Sequence, residues 1–473
     1  MNKYLKTYIA ILTLIVLASC KVSKDVTATQ LPWPVSYRNT VNTDTTSIAD
    51  IQWRSFFTDA ALQKLIDSAV INNYDMQVAL KNIEAAQLVV KQTKLGYLPE
   101  AQLQARASIT RPSDNSLNSL SVNQFLGKSY VEDYSLGAVL SWEADIWGKI
   151  KNQKAKALAE YLQTAEAKKA IQTNLVSDVA KGYYNLLMLD AQLAIANKNL
   201  LLNDSTLRII RLQNNAGEVT ALAVQQAEAQ RLVAVQLVPL LQQEITLQEN
   251  ALSILTAVPP AAIERSTEIK NILFTQNISA GVPSTLISNR PDVKTNELAL
   301  SVANANTGIA KAAMYPSLTI TAAGGINAFK ASNWFSIPAA LFGTAIGGVA
   351  QPLFQRKQLK TQYELAKVER EKTVIQFRQS VLNAVGEVSD ALEKNEKLKE
   401  QEAIAETRVS TLQQAISNAD LLFKNGMATY LEVITAQTSL ANARVAEVTA
   451  LAQHNAARLN LASSLGRAES FRW

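Results

Sequence analysis

The sequence predicts a mainly α-helical fold that carries two β-hairpins and is duplicated within itself. Three observations carry that expectation. Glycine and proline are scarce, 16 and 12 of 473 residues, while Ala, Leu, Gln, Lys and Glu dominate; such side chains lose little freedom on a helix. Two short segments in each half abandon helical periodicity for alternation, which is weak only in the last of the four. Finally, "NNAGEVTAL" and "KNGMATYL" place Gly217 and Gly426 in similar surroundings 209 residues apart, each interrupting a very long helical stretch.

Composition also excludes some classes. The net charge is +6, but Lys and Arg are interspersed with Asp and Glu, and no basic block with interleaved aromatics appears. Nucleic-acid binding is therefore not expected. With Cys20 the only cysteine, neither a disulfide framework nor a Cys-rich metal site can form within one chain.

At the start of the chain, residues 1–19 have Lys3 and Lys6, an apolar run from Tyr8 to Leu17 and small residues up to Cys20, the layout of a secretory signal. "LASC" resembles the bacterial lipobox, which implies a lipid on Cys20; a plain signal peptide is the alternative. A Thr-rich extended segment runs to residue 58. No other stretch reaches the roughly 20 apolar residues that a membrane-spanning helix needs, so any membrane crossing falls to strands.

The first repeat covers 59–255. A helix starts with Thr58 as N-cap and Leu62, Leu65, Ile66 and Ala69 on one face. A second runs from about Asp75 to Leu95 and stops at Gly96 and Pro99. Over 101–111, Leu103, Ala105, Ala107 and Ile109 alternate with Gln104, Arg106, Ser108 and Thr110. That period of two marks a strand with one apolar and one polar face. After a polar loop (Pro112–Lys128), 131–145 alternates again, with Tyr134, Leu136, Ala138, Leu140 and Trp142 against Ser135, Gly137, Ser141, Glu143 and Asp145. A helix from about Lys149 to Asn214 then spans roughly 95 Å at 1.5 Å per residue. Beyond Gly217 another runs from Leu222 to Leu255, with a kink expected at Pro239. Helices this long must pair along their sides, as in coiled coils.

Residues 256–288 form a Pro-punctuated linker, and 289–466 repeat the plan. Asn289 caps a helix with Pro291 and Asp292 in its first turn, which Pro316 ends as Pro99 did. Strands are expected at 317–328 and, with weak Gly-rich alternation, at 341–353. A long helix then runs from Lys357 to Phe423, with Gly426 and a helix to about Leu465 after it; 467–473 is a tail. Pro99 pairs with Pro316, Trp147 with Phe354 and Gly217 with Gly426.

Ten-residue strands with one apolar face suit a tilted transmembrane strand, or equally a soluble β-layer on helices. Four strands cannot close, and open edges are not tolerated in lipid. If they span a membrane, the chain must oligomerise.

The stretches "WRSFFTDAALQKLIDSA", "SWEADIWGKIKNQ", "NRPDVKTNELALSVANANTGIAKAAMYPSLTI" and "QPLFQRKQL" resemble the TolC-like outer-membrane efflux channels, in particular their NodT-type lipoprotein branch. The resemblance implies a homotrimer forming a 12-stranded barrel on a long periplasmic helical barrel. It implies a passive conduit for drugs or other small toxic compounds, docked to a periplasmic adaptor and an inner-membrane RND pump. Under it, Gln104, Arg106, Glu143 and Asp145 (with Ser108, Thr110, Ser135 and Ser141) line the pore. Leu103, Ile109, Leu136, Leu140, Leu318 and Ile320 face lipid, and Trp142 sits in an aromatic girdle or at the barrel–helix junction. Alternatives are the outer channel of a type I secretion system, or a lipid-anchored helical scaffold without transport.

The hairpin tips share Gly, then Val219 or Ala428, then Thr220 or Thr429 as N-cap of the returning helix. The resemblance makes Gly217, Val219, Thr220, Gly426, Ala428 and Thr429 adaptor contacts. It also places acidic gate residues just after the tips. Here Thr435 and Ala223 stand at those positions, and Glu432, on the same helical face as Thr435, is the substitute candidate. No enzyme is expected: the lone His454 lies in a helix without a partner cluster, and no metal, phosphate or dinucleotide motif is present. No cofactor is expected beyond the lipid on Cys20.

Overall fold

A computed structural model describes residues 53–272 and 290–465. The signal segment, Cys20, most of the extended segment, the Asn289 cap, part of the linker and the 467–473 tail lie outside the described residues. The chain divides into two compact units. One comprises Ala85–Leu162 with Leu298–Ile375; the described remainder forms the other.

The helices are α1 (Trp53–Phe56), α2 (Ala60–Asn72), α3 (Tyr74–Lys94), α4 (Leu117–Leu126), α5 (Lys149–Asn215), α6 (Ala221–Leu255), α7 (Pro291–Ala312), α8 (Gln358–Lys424) and α9 (Tyr430–Ser464). The strands are β1 (Glu100–Thr110), β2 (Val131–Ala144), β3 (Ser317–Ala328) and β4 (Leu341–Ala350). The duplication shows in the lengths: α5 and α8 each have 67 residues, α6 and α9 each 35. Helix α6 runs through Pro239 without a break. None of the described helices is apolar enough over its length to cross a membrane.

The first unit is built on a single antiparallel sheet in the order β1-β2-β3-β4. Both strand connections of the hairpins lie at one end of the sheet, and all four helix junctions at the other. The segment between β1 and β2 is not a plain loop. It contains α4, whose start is capped by the Ser116 hydroxyl accepting from the Ser119 amide at 3.2 Å. A further adjustment concerns the helix starts. Lys149 stands opposite Gln358, so Trp147 corresponds to Arg356 and not to Phe354. The turn before α5 uses Gly148 (φ 75°), whereas its counterpart holds Arg356 and Lys357 at φ 49° and 61°.

The core of the second unit gathers Leu62, Ile66 and Ala69 of α2 against Val179, Ala180 and Tyr183 of α5, with Ile269, Ala452 and Leu459. The cap of α2 is Asp59, not Thr58. One carboxylate oxygen accepts from the amides of Ala61 and Leu62 at 2.8 and 3.0 Å. The other accepts from the Tyr183 hydroxyl at 3.0 Å, while the Ser266 hydroxyl donates to the first at 2.6 Å. A carboxylate meets several donors at once better than a hydroxyl, which explains the one-residue shift. Burial, reinforced by Asp59, pushes the Tyr183 phenol up to about 12.

Candidate channel wall and helix-hairpin tips

Register fixes the two faces of the sheet. Leu103 pairs with Ala138, Ala138 with Gly324 and Gly324 with Gly343. Directly paired residues share a face, so Leu103, Ile109, Leu136, Leu140, Leu318 and Ile320 all belong to one apolar face. It is bare in the single chain: Leu103 is 80% and Ile109 69% exposed. The opposite face carries Gln104, Arg106, Ser108, Thr110, Ser135, Ser141 and Glu143, joined across β3 by Thr319, Thr321 and Asn327. β4 is less tidy, putting Phe342, Thr344 and Ile346 on that polar side.

One expected wall residue is elsewhere. Strand β2 ends at Ala144, so Asp145 lies beyond it and does not share Glu143's face by alternation. Its two carboxylate oxygens accept from the amides of Ile150 and Lys151, both at 2.9 Å. Asp145 thus satisfies free donors in the first turn of α5, where the helix dipole also favours a negative charge. Glu143 is engaged as well, both its oxygens accepting from Lys149 Nζ at 3.0 Å. Of the four residues expected in the pore, Gln104 and Arg106 stand as exposed wall residues. Glu143 is a half-buried ion pair, and Asp145 is a helix cap. Trp142 donates its indole N–H to the Tyr97 carbonyl at 2.9 Å, which anchors it at the helix end of the sheet.

The tips belong to the second unit. Both close the same way: the Glu218 amide bonds the Gln213 carbonyl and the Met427 amide the Leu422 carbonyl, each at 2.9 Å. Gly217 and Gly426 hold φ 80° and 71°, the left-handed turn that ends many helices. The two tips differ at the start of the returning helix. Glu432 folds back on its own helix start, accepting from the Thr429 amide at 2.5 Å and its hydroxyl at 3.1 Å. Counted from the matched helix starts, Ala221 and Tyr430, Ala223 corresponds to Glu432 and not to Thr435; it is buried in a cluster with Leu207, Ile210 and Ala227 against Tyr430 and Ile434. Thr220 makes no side-chain cap bond; instead the Asn214 amide donates to the Val219 carbonyl at 2.7 Å. Thr435 is exposed, its hydroxyl bonded to the Leu431 carbonyl at 2.7 Å.

Two residues outside the expected sites tie each repeat together. Asn73, at the start of α3, donates to the Leu255 carbonyl at the end of α6 at 3.0 Å. Arg290, at the start of α7, donates to the Ser464 carbonyl at the end of α9 at 2.9 Å. Arg290 also bonds Asp292 at 3.0 and 2.7 Å and Glu387 at 2.7 Å. The signal is faint: both sit one residue before a helix and two before an aspartate, in "NNYD" and "NRPD". Burial opposes ionisation of Asp292, but Arg290 outweighs it and holds the carboxyl below the usual range. His454 is buried on α9, with its Nδ1 2.5 Å from Glu402 of α8.

A sheet with one bare apolar face, one hydrophilic face and two unpaired edges is an arc of a membrane-spanning wall. Residues 65–258 and 282–467 match the outer membrane efflux protein family, and the chain belongs to it. The two matched segments correspond to the two repeats. The chain is 28% identical over 427 residues to the cation efflux system protein CusC of Escherichia coli (strain CFT073), spanning 90% of each. It is 28% identical over 469 residues to the antibiotic efflux pump outer membrane protein ArpC of Pseudomonas putida, spanning 96% of this chain and 94% of ArpC. A crystal structure of a membrane protein from Pseudomonas aeruginosa matches with a TM-score of 0.85 at 26% identity, over 94% of this chain and all of that one. The protein is therefore an outer-membrane efflux channel with periplasmic helices, in a family of transport proteins rather than enzymes.

Proposed function

We propose that three copies of this chain close a 12-stranded barrel that passively conducts small toxic compounds to the cell exterior. The supporting observation is the sheet itself: four strands, unpaired at β1 and β4, with a bare apolar face and a hydrophilic face. In this reading a periplasmic adaptor meets the tips at Gly217, Val219, Thr220, Gly426, Ala428 and Thr429, and an RND pump in the inner membrane supplies the energy. A lipid on Cys20 anchors the chain.

The wall favours a broad conduit over a selective filter. Glu143 is neutralised by Lys149 and Asp145 is consumed as a cap, so few charges face the polar side. Relatives named for cations and for antibiotics fit the same view, in which the pump selects and the outer channel conducts.

The test is purification from outer membranes followed by mass measurement and efflux complementation. A heat-resistant trimer with a diacylated or triacylated Cys20, restoring drug tolerance to a channel-deficient strain, is the expected result. A monomer that is soluble once its lipid is removed would overturn it.

A further inference from the structure

The hairpin end of the sheet carries a groove of about 200 Å³ that conduction does not require. Two ammonium groups line it, Lys128 after α4 and Lys330 after β3, with Phe125, Leu126 and Phe329 as its apolar walls. Its position comes from register. Glu132, also in the lining, pairs with Ile109, and Tyr134, next on that face, pairs with Ala328. The groove therefore adjoins the apolar face and not the polar one. Because the helices are periplasmic and attach to the opposite end of the sheet, the groove lies at the level of the outer leaflet's headgroups.

The side chains there are arranged for an anionic amphiphile. Lys128 Nζ sits 5.0 Å from the Tyr130 ring centroid and Lys330 Nζ 5.7 Å from that of Phe329. Aromatic faces hold the ammonium groups in place without neutralising them. The one carboxylate, Glu132, is 3.8 Å from Lys128, too long for a tight pair. Two cations against one anion leave the groove net positive, while Phe125 is 83% exposed and presents a large apolar surface beside it. Lysine acts as a point charge for phosphate and needs no bidentate geometry.

We propose that this groove binds the phosphorylated glucosamine headgroup of an outer-leaflet glycolipid, the lipid A portion of lipopolysaccharide. Lys128 and Lys330 hold a phosphate, and Phe125, Leu126 and Phe329 pack against the acyl chains that continue down the apolar face. The site rests on the outer-membrane placement of the sheet and is independent of what the pore conducts.

Native mass spectrometry of the delipidated full-length protein, titrated with bisphosphorylated hexa-acyl lipid A, tests this. The double variant Lys128→Gln/Lys330→Gln is expected to bind roughly tenfold or more weakly. Glu132→Gln should bind about two- to threefold more tightly, because it removes the competing carboxylate. Lipid A lacking both phosphates should bind the wild type as weakly as intact lipid A binds the double variant. Unchanged conductance and heat resistance show that the variants fold; should the double variant fail to assemble, Glu132→Gln carries the test alone. Equal affinity of intact lipid A for wild type and variants would overturn the proposal. So would displacement of the lipid by millimolar inorganic phosphate, which would make the groove a site for a free anion.

Discussion

The two halves of the chain share long helices matched to the residue and differ where the chemistry lies. Helices of 67 and 35 residues recur, and the tips close with the same hydrogen bonds. Yet the charges within the strands all come from the first hairpin: Glu100 and Arg106 in β1, and Glu132, Asp133 and Glu143 in β2. β3 and β4 carry none and are rich in Gly and Ala instead. Duplication preserved what packing and helix ends demand, whereas the wall, facing water on one side and lipid on the other, was free to diverge. One half supplies the wall's charge and the other its close-packed centre.

The sharpest way to break that division is at Gly325. A Cβ there would lie 2.2 Å from the Leu136 carbonyl oxygen and 2.5 Å from the Gly137 Cα. No rotamer relieves a clash with backbone, so β2 and β3 must part. A Cβ at Gly343 or Gly347 of β4 would meet only open space. Gly325→Val is expected to cost about 3 kcal/mol or more and to abolish the heat-resistant oligomer on gels. Gly347→Val should leave it intact. Equal behaviour of the two variants would show that the centre of the sheet is not set by close approach.

Next in size is the tie between helix ends, neutral in one repeat and ionic in the other. Removing Arg290 leaves Asp292 and Glu387 facing each other and the Ser464 carbonyl without its donor. Because both acids are about half exposed, Arg290→Ala is expected to cost about 2–4 kcal/mol, the lower part of the range for broken buried pairs. Asn73→Ala, which loses neutral bonds, should cost about 1–2 kcal/mol. Denaturant unfolding followed by far-UV circular dichroism gives both values. The ionic tie also has a pH signature. Asp292 is held below its ordinary value of 3.8, so its contribution is complete above that value. It is lost as the pH falls through the lower folded value. Wild-type stability should therefore drop on acidification below about pH 4 by more than that of Arg290→Met. Parallel acid profiles would remove Asp292 from the account.

How much of this was legible in the sequence depended on whether each cause was local. The strands, the tip glycines and the two repeats were readable because alternation, positive φ and helix length are written in neighbouring residues. Asp145 misled because alternation was carried one residue past the strand end, while the free amides of α5 had the stronger claim on its carboxylate. Helix α4 was missed because "LNSLSVNQFL" has low helix propensity and no apolar stripe. The ties of Asn73 and Arg290 were invisible for another reason: their partners are 182 and 174 residues away. The groove between the hairpin connections likewise exists only once residues 125–132 and 329–330 are brought together.

The smallest expected effect separates the two tips. At the second, Glu432 completes a reciprocal cap with Thr429; at the first, the equivalent Ala223 is packed and could hold no carboxylate. A gate of three glutamates at the trimer axis and a simple helix cap make different demands on Glu432. As a cap, its carboxylate is already satisfied by Thr429, and Glu432→Gln keeps an oxygen able to accept the same bonds. The expected cost is then about 0.5 kcal/mol, and single-channel cation selectivity is unchanged. As a gate, the same substitution removes three converging charges and must reduce cation selectivity measurably. Thr429→Ala sharpens the distinction, because it removes the hydroxyl half of the cap and leaves the charge. If the cap is the residue's whole role, both variants weaken the helix start and neither alters selectivity. If Glu432 gates, only Glu432→Gln changes the recordings, and the asymmetry between the tips becomes functional as well as structural.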